Sequence, residues 1–136
     1  MESIPLFVYL FFLKLLNLRL VNQVSVPDWI SKNPKFKIGC IRGLIDTDGG
    51  VFMLKTGNIN VNLTNGSDPL LDFFENFCKE NDIHCTRETE HRPQVRIKRI
   101  NDVKKFLDLV KPIKLEELKK VNPDGVHSFF AKEGKI

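Results

Sequence analysis

The run from Gly39 to Phe52, GCIRGLIDTDGGVF, limits the fold more than any other stretch of the chain. It reads as a helix that ends in two acids and two glycines and passes at once into an apolar strand. Gly39 and Gly43 are four apart, so they share one helix face and leave it bare of side chains. An interior glycine costs about 0.5–1 kcal/mol relative to alanine, so the bare face predicts close approach of a second helix, as small-xxx-small pairs allow. Ile38, Ile41, Leu44 and Ile45 supply the apolar remainder. The helix thus presents as an interface element that carries Asp46 and Asp48 to its end. Acids at a helix C-terminus oppose the macrodipole, so two of them there call for a chemical reason.

The rest of the composition sets bounds. At 136 residues, 42% hydrophobic and 28% charged, the chain suits one globular domain with a real core. The formal net charge of +4 suits a polyanionic partner without requiring one. Cys40, Cys78 and Cys85 are odd in number and form no CxxC, which favours buried thiols and a reducing, cytoplasmic setting. His84, His91 and His127 lack ligand spacing, so Cys85 beside His84 does not make a zinc site. The apolar start, IPLFVYLFFLKLL, is too short for a membrane span of about 20 residues, and Lys14 and Arg19 interrupt its extension. Glu2 and the lack of a small-residue cleavage site argue against a secretory signal. A buried helix near residues 5–20 is the expectation, followed by a linker over Val24–Asp28.

Asn33-Pro34 opens the glycine-bearing helix, with asparagine as N-cap and proline in the first turn. Two strands follow, about 51–56 and 58–64, with Gly57-Asn58 as the turn. In the second, Ile59, Val61 and Leu63 alternate with Asn58, Asn60, Asn62 and Thr64, giving one apolar side and one row of amides. Ser67 caps a helix whose Leu70, Leu71, Phe74, Phe77 and Cys78 form an amphipathic stripe, and Asn81-Asp82 stops it. A second strand pair fits 83–89 and 93–99, with Val95 and Ile97 alternating with Gln94, Arg96 and Lys98. Asn101-Asp102 is read as the cap of a helix carrying Val103, Phe106, Leu107 and Val110, and a further helix as spanning Lys114 to Lys120. Asn122-Pro123-Asp124-Gly125 reads as a turn.

The segment Ile41 to Gly49, IRGLIDTDG, resembles the LAGLIDADG motif of homing endonucleases, in the LRGLIDTDG form of archaeal and intein-linked members. Gly43, Leu44, Ile45, Asp46, Asp48 and Gly49 fit, and Arg42 stands where the name-giving motif has alanine. Val26-Pro27-Asp28-Trp29-Ile30 resembles the PxWI lead-in of that subgroup. The element order, helix-strand-strand-helix-strand-strand-helix, is that of the family's α+β half-domain with its saddle-shaped antiparallel sheet. The likeness covers residues 26–120, leaving 1–25 as an apolar helix with linker and 121–136 as a tail. No second motif is present: Asp124-Gly125 echoes its end, but Pro123 breaks the pattern.

The resemblance implies a site-specific endonuclease for double-stranded DNA that uses Mg2+ or Mn2+. Such a cation takes hard oxygen ligands, keeps several waters, polarises phosphate and lowers the pKa of a bound water. By the family's pattern Asp48 carries the metal, Thr47 offers its carbonyl, and Asp46 helps end the helix. One motif supplies one acid, so a homodimer is implied, packed through Gly39, Ile41, Gly43 and Asp46 and reading a nearly two-fold site. Asn65, where glutamine is common, falls at the water-ordering position. Lys114 or Lys111 falls near the charge-stabilising lysine, with Glu116 competing for that place. A further basic position, at the start of the second helix, coincides with Pro69 or Leu70. Base readout falls to Asn58, Asn60, Asn62, Gln94, Arg96 and Lys98, with Lys55 next, because amides pair with adenine and cations with guanine. Other readings are a non-cleaving DNA- or RNA-binding relative, such as a maturase or regulator, and one half of a larger or split endonuclease. Location within or beside an intron or intein would discriminate among them.

Overall fold

The computed structural model describes residues 26–89 and 92–133. The apolar helix expected near residues 5–20, and the linker residues before Val26, lie outside them. Asn33 starts the architecture: its side chain accepts from the backbone N–H groups of Lys35 (3.0 Å) and Phe36 (3.2 Å), and Pro34 opens the first turn. The short α1 (Asp28–Ser31) precedes this cap, and α2 (Pro34–Asp48) follows it. No loop separates α2 from β1 (Gly49–Met53). Gly49 makes that abrupt passage possible, because a Cβ there would lie 2.5 Å from the Asn62 carbonyl oxygen and 2.9 Å from Ile45 Cα.

The first hairpin is shorter than its sequence suggests. Residues 54–58 form the connection to β2 (Ile59–Thr64), closed by Leu54 N–H to Asn58 O at 2.8 Å and Gly57 N–H to Leu54 O at 3.0 Å. Gly57 takes φ +86°, a left-handed position that glycine adopts without steric cost. Ser67 then caps α3 (Asp68–Glu80), which ends at Asn81 and a left-handed Asp82. After α3 come β3 (Thr86–Glu88) and β4 (Gln94–Ile97). The strands form one antiparallel sheet in the order β1-β2-β4-β3.

Three helices close the fold: α4 (Ile100–Val110), α5 (Ile113–Val121) and α6 (Pro123–Ala131). Two readings are corrected here. Asn101-Asp102 does not cap α4; the helix starts at Ile100, Arg99 takes the cap position, and Asp102 lies in the first turn, where an acid suits the dipole. Asn122-Pro123-Asp124-Gly125 is the start of α6 rather than a free turn. The Asn122 side chain accepts from Gly125 N–H at 3.0 Å, and Val126 and Phe129 enter the core.

The helices cover one face of the sheet. Ile59, Val61 and Leu63 of β2 and Val95 and Ile97 of β4 point into a core shared with Ile41, Leu44 and Ile45 of α2. Phe106 of α4 packs against Phe74 (5.6 Å between ring centres) and edge-on to Phe77 of α3 (6.3 Å). Arg87 of β3, on the helix side of the sheet edge, pairs with Asp68, Asp72 and Glu75 of α3. Among the described residues no helix is long and apolar enough to cross a membrane.

Candidate nucleic-acid interface and acid site

The last turn of α2 separates its two acids by their partners. Asp48 is exposed, and its Oδ2 accepts from Asn65 Nδ2 at 2.9 Å. Asn65 is itself pinned: its Oδ1 accepts from Ser67 N–H at 2.8 Å, and its own N–H donates to Pro93 O at 3.2 Å. Lys114 arrives from α5, and its ammonium donates to the Gly49 carbonyl, next to Asp48. The Asp48–Asn65 pair and the Lys114 ammonium thus reach the α2–β1 junction from three distant parts of the chain, Lys114 through the Gly49 carbonyl rather than through an ion pair with Asp48. The alternatives to Lys114 lie differently. Lys111 is the exposed, left-handed C-cap of α4, and Glu116 pairs with Lys119 at 3.3 Å.

Asp46 faces the other way. Its Oδ2 accepts from Ile113 N–H and its Oδ1 from Lys114 N–H, both at 3.2 Å, so it caps α5. Burial raises its pKa above the usual carboxylate value, while the two backbone donors, Lys114 and Arg42 pull the other way. The reason for an acid at the C-terminus of α2 is thus the N-terminus of another helix. Asp46 was expected at a dimer contact; its carboxylate is engaged within the chain.

A cation at this place would find hard oxygens only. The Thr47 hydroxyl turns back to the Gly43 carbonyl at 2.8 Å. Its main-chain carbonyl is among the last four of α2, which have no intrahelical partner. One exposed carboxylate beside such a carbonyl fits a Mg2+-type ion that keeps most of its waters. Among the described residues no group of three or more His, Cys, Asp or Glu side chains could form a closed site of the zinc kind.

The open face of the sheet carries the side chains expected to read bases, in rows set by strand register. Gly50, Asn62, Arg96 and Thr86 lie directly opposite one another across β1, β2, β4 and β3. Phe52 lies opposite Asn60. Asn60, Asn62 and Arg96 are half-buried, and Lys55 and Lys98 are exposed. Two expected readers are otherwise engaged. Gln94 is only 8% exposed, donates to Glu88 Oε2 at 2.7 Å and accepts from Asn62 at 3.5 Å. Asn58 sits in the hairpin connection, where its Oδ1 accepts from Lys132 Nζ at 3.1 Å. Both therefore hold the scaffold in the free chain.

The glycine face of α2 is similarly divided. Gly39 is buried within one chain, whereas Gly43 is only half-buried. Ile41, expected at the dimer contact, is fully buried in the core and unavailable to a second copy. Of the cysteines, Cys40 and Cys78 are buried and Cys85 half-buried, all as free thiols. Burial pushes Cys40 up to about 12, which leaves it unreactive.

Sequence reasoning missed Arg42 and Phe52. Arg42 Nε donates to the Val110 carbonyl at 2.7 Å, a long-range contact that no local pattern announces. Phe52 had a signal in its alternation with Val51, which places it on the polar side of β1.

No protein-family model matches the sequence, and no curated protein does. Among solved structures, the chain is similar to the N-terminal LAGLIDADG domain of DUF199/WhiA. That match has a TM-score of 0.52 and 17% sequence identity, over 60% of this chain and 44% of that one. Full-length DUF199/WhiA from Thermatoga maritima matches with a TM-score of 0.49 and 21% identity, over 70% of this chain and 34% of that one. The chain spans less than half the length of either structure. The first likeness bears on the fold, and the fold is the LAGLIDADG one.

Proposed function

We propose that the chain is a homodimeric, divalent-metal-dependent endonuclease that binds and cuts double-stranded DNA. The observation that carries this reading is the meeting of Asp48, Asn65 and Lys114 at the end of a helix whose sequence resembles the LAGLIDADG motif. Asp48 and the Thr47 carbonyl would hold Mg2+ or Mn2+, which when bound polarises phosphate and acidifies a water. Asn65 fixes the Asp48 carboxylate in one orientation. Lys114 places a positive charge beside the same junction, where negative charge develops as a phosphodiester is cut. Each chain offers one such acid, so a second copy supplies the other for the second strand. The amide and guanidinium rows of the open face would provide base contacts.

A second reading, duplex or RNA binding without cleavage, is favoured by the start of α3. The basic position implied there by the resemblance is held by either Pro69, in the first turn, or Leu70, which is buried, and neither carries a charge. The deciding experiment incubates the protein with a randomised duplex library and Mg2+ or Mn2+, and sequences both bound and cleaved molecules. The nuclease reading requires metal-dependent ends at a recurrent sequence, abolished in Asp48→Asn with binding kept. Enrichment of bound duplexes with no cleavage in either metal would establish the second reading.

A further inference from the structure

Phe52 is 50% exposed on the face of the sheet that otherwise carries polar side chains, amides and Arg96 with Glu88 and threonines among them. An aromatic side chain at such a position gives up the gain from burial, so its place there asks for an occupant. Its surroundings define what it would meet. Asn60 lies directly across from it on β2, a pairing that brings the two side chains within about 4.5–5.5 Å at Cβ. A Cβ on Gly50 would run into the Phe52 ring, so the ring lies down over Gly50 rather than standing up from the sheet. Leu54, one residue past β1 at the start of the hairpin connection, is a second exposed apolar side chain, at 41%. Arg96 stands on the same face by register, opposite Asn62, and Lys55, in the hairpin connection, and Lys98, just past β4, are exposed.

We propose that Phe52 and Asn60 together read an A·T step in the major groove, with Phe52 covering the 5-methyl group of thymine and Asn60 pairing with adenine. This rests on the duplex-DNA reading given above. The chemistry is specific to that combination: adenine offers an acceptor and a donor to an amide, and thymine alone among the DNA bases carries a methyl group for an apolar ring. A flat ring over a glycine gives a broad, shallow contact, which suits a methyl group at a groove floor. Exposed Lys55 and Lys98 offer positive charge to the phosphates.

The test uses the duplex enriched from a randomised library. It is resynthesised with deoxyuridine in place of thymidine at one position at a time, which removes the methyl group and nothing else. Wild type loses about fourfold in affinity at one position per half-site, the value of one methyl-sized group taken from water. Phe52→Ala binds the thymidine and deoxyuridine duplexes equally at that position, and Phe52→Leu retains part of the preference. Indifference of wild type to every substitution overturns the inference, as does a methyl preference that survives in Phe52→Ala. A Phe52→Ala protein that turns monomeric without DNA also overturns it, since the ring would then serve self-association. A library that yields no enriched duplex sinks the DNA reading itself, and this inference with it.

Discussion

Arg42 and Asp46 stand one turn apart on α2 and hold the two sides of one joint. Arg42 Nε donates to the carbonyl of Val110, the last residue of α4, at 2.7 Å, and Asp46 accepts from the first two N–H groups of α5. Each charge matches the helix end it touches: a cation at a C-terminus, an anion at an N-terminus. The joint between α4 and α5, Lys111 and Pro112, is thereby fixed against α2, and with it the position of Lys114.

Arg42→Ala removes a charge-assisted bond from a half-buried guanidinium to the carbonyl of buried Val110 and should cost about 1.5–3 kcal/mol in urea unfolding. Asp46→Asn keeps one acceptor but sets an amide N–H against the other donor, and should cost about 1 kcal/mol. Because both act on one joint, the double variant should lose less than the sum. Full additivity would show that the two contacts are independent.

The same acid should give a pH signature. Burial raises the folded-state pKa of Asp46 above its unfolded value, so between the two the folded chain holds a proton that the unfolded chain has released. That contribution to stability is complete below the unfolded value and is lost as pH rises through the folded one. The stability margin of wild type over Asp46→Asn should therefore shrink as pH rises through and above the ordinary carboxylate range. A margin that widens over that range would mean that the donors and cations around Asp46 outweigh its burial.

Gly49→Ala should be the more damaging of the two single-methyl changes at the α2–β1 junction. The added carbon meets the Asn62 carbonyl and the Ile45 backbone, neither of which can swing aside. About 1–3 kcal/mol of destabilisation follows from overpacking of this kind. Gly50→Ala offers the contrast, since the atoms nearest its new methyl belong to the Phe52 ring, which can rotate away. Equal melting temperatures for the two variants would contradict this account.

What could be read from the sequence divides along physical lines. Caps and alternation are local, so Asn33, Ser67 and the amide row of β2 were legible. The motif pointed to Asp48 and the resemblance to Asn65, but spacing left Lys114, Lys111 and Glu116 competing for one place, which only the path of α5 separates. Contacts made across the chain were not legible: Arg42 to Val110, and Asp46 to a helix whose first residue is Ile113. The same holds for Gln94, whose strand position marks it as outward but whose bonds to Glu88 and Asn62 depend on register. The Asn122 cap was misread because a proline-glycine turn and a capped first helical turn use the same residues.

The two glycines of α2 should behave differently when enlarged. Gly39 is buried within one chain, so Gly39→Leu should destabilise the fold itself. Gly43 is half-buried and remains the candidate contact with a second copy. Gly43→Leu should leave the fold intact and shift light scattering from dimer to monomer at micromolar concentration. Wild type that scatters as a monomer, or a Gly43→Leu variant as dimeric as wild type, would remove α2 from the proposed interface.

Asn65 offers the sharpest separation of a holding role from a structural one. It touches Asp48 on one side and Ser67 N–H, at the cap of α3, on the other. Asn65→Asp keeps the acceptor for Ser67 but sets a second carboxylate against Asp48, whereas Asn65→Ala removes both bonds. If Asn65 acts by orienting a metal-holding carboxylate, Asn65→Ala should lose about 10–100-fold in metal affinity or cleavage, the usual cost of a supporting partner. Asn65→Asp should keep the cap and its share of stability. Added Mg2+ should restore Asn65→Ala toward wild-type cleavage, since weakened affinity is met by concentration. Raised Mg2+ should not restore Asp48→Asn, which lacks the ligand itself. Two results would remove Asn65 from the acid site and leave it a support for the Ser67 cap of α3. One is loss of stability in Asn65→Ala with metal dependence unchanged; the other is a cleavage defect that no metal concentration relieves.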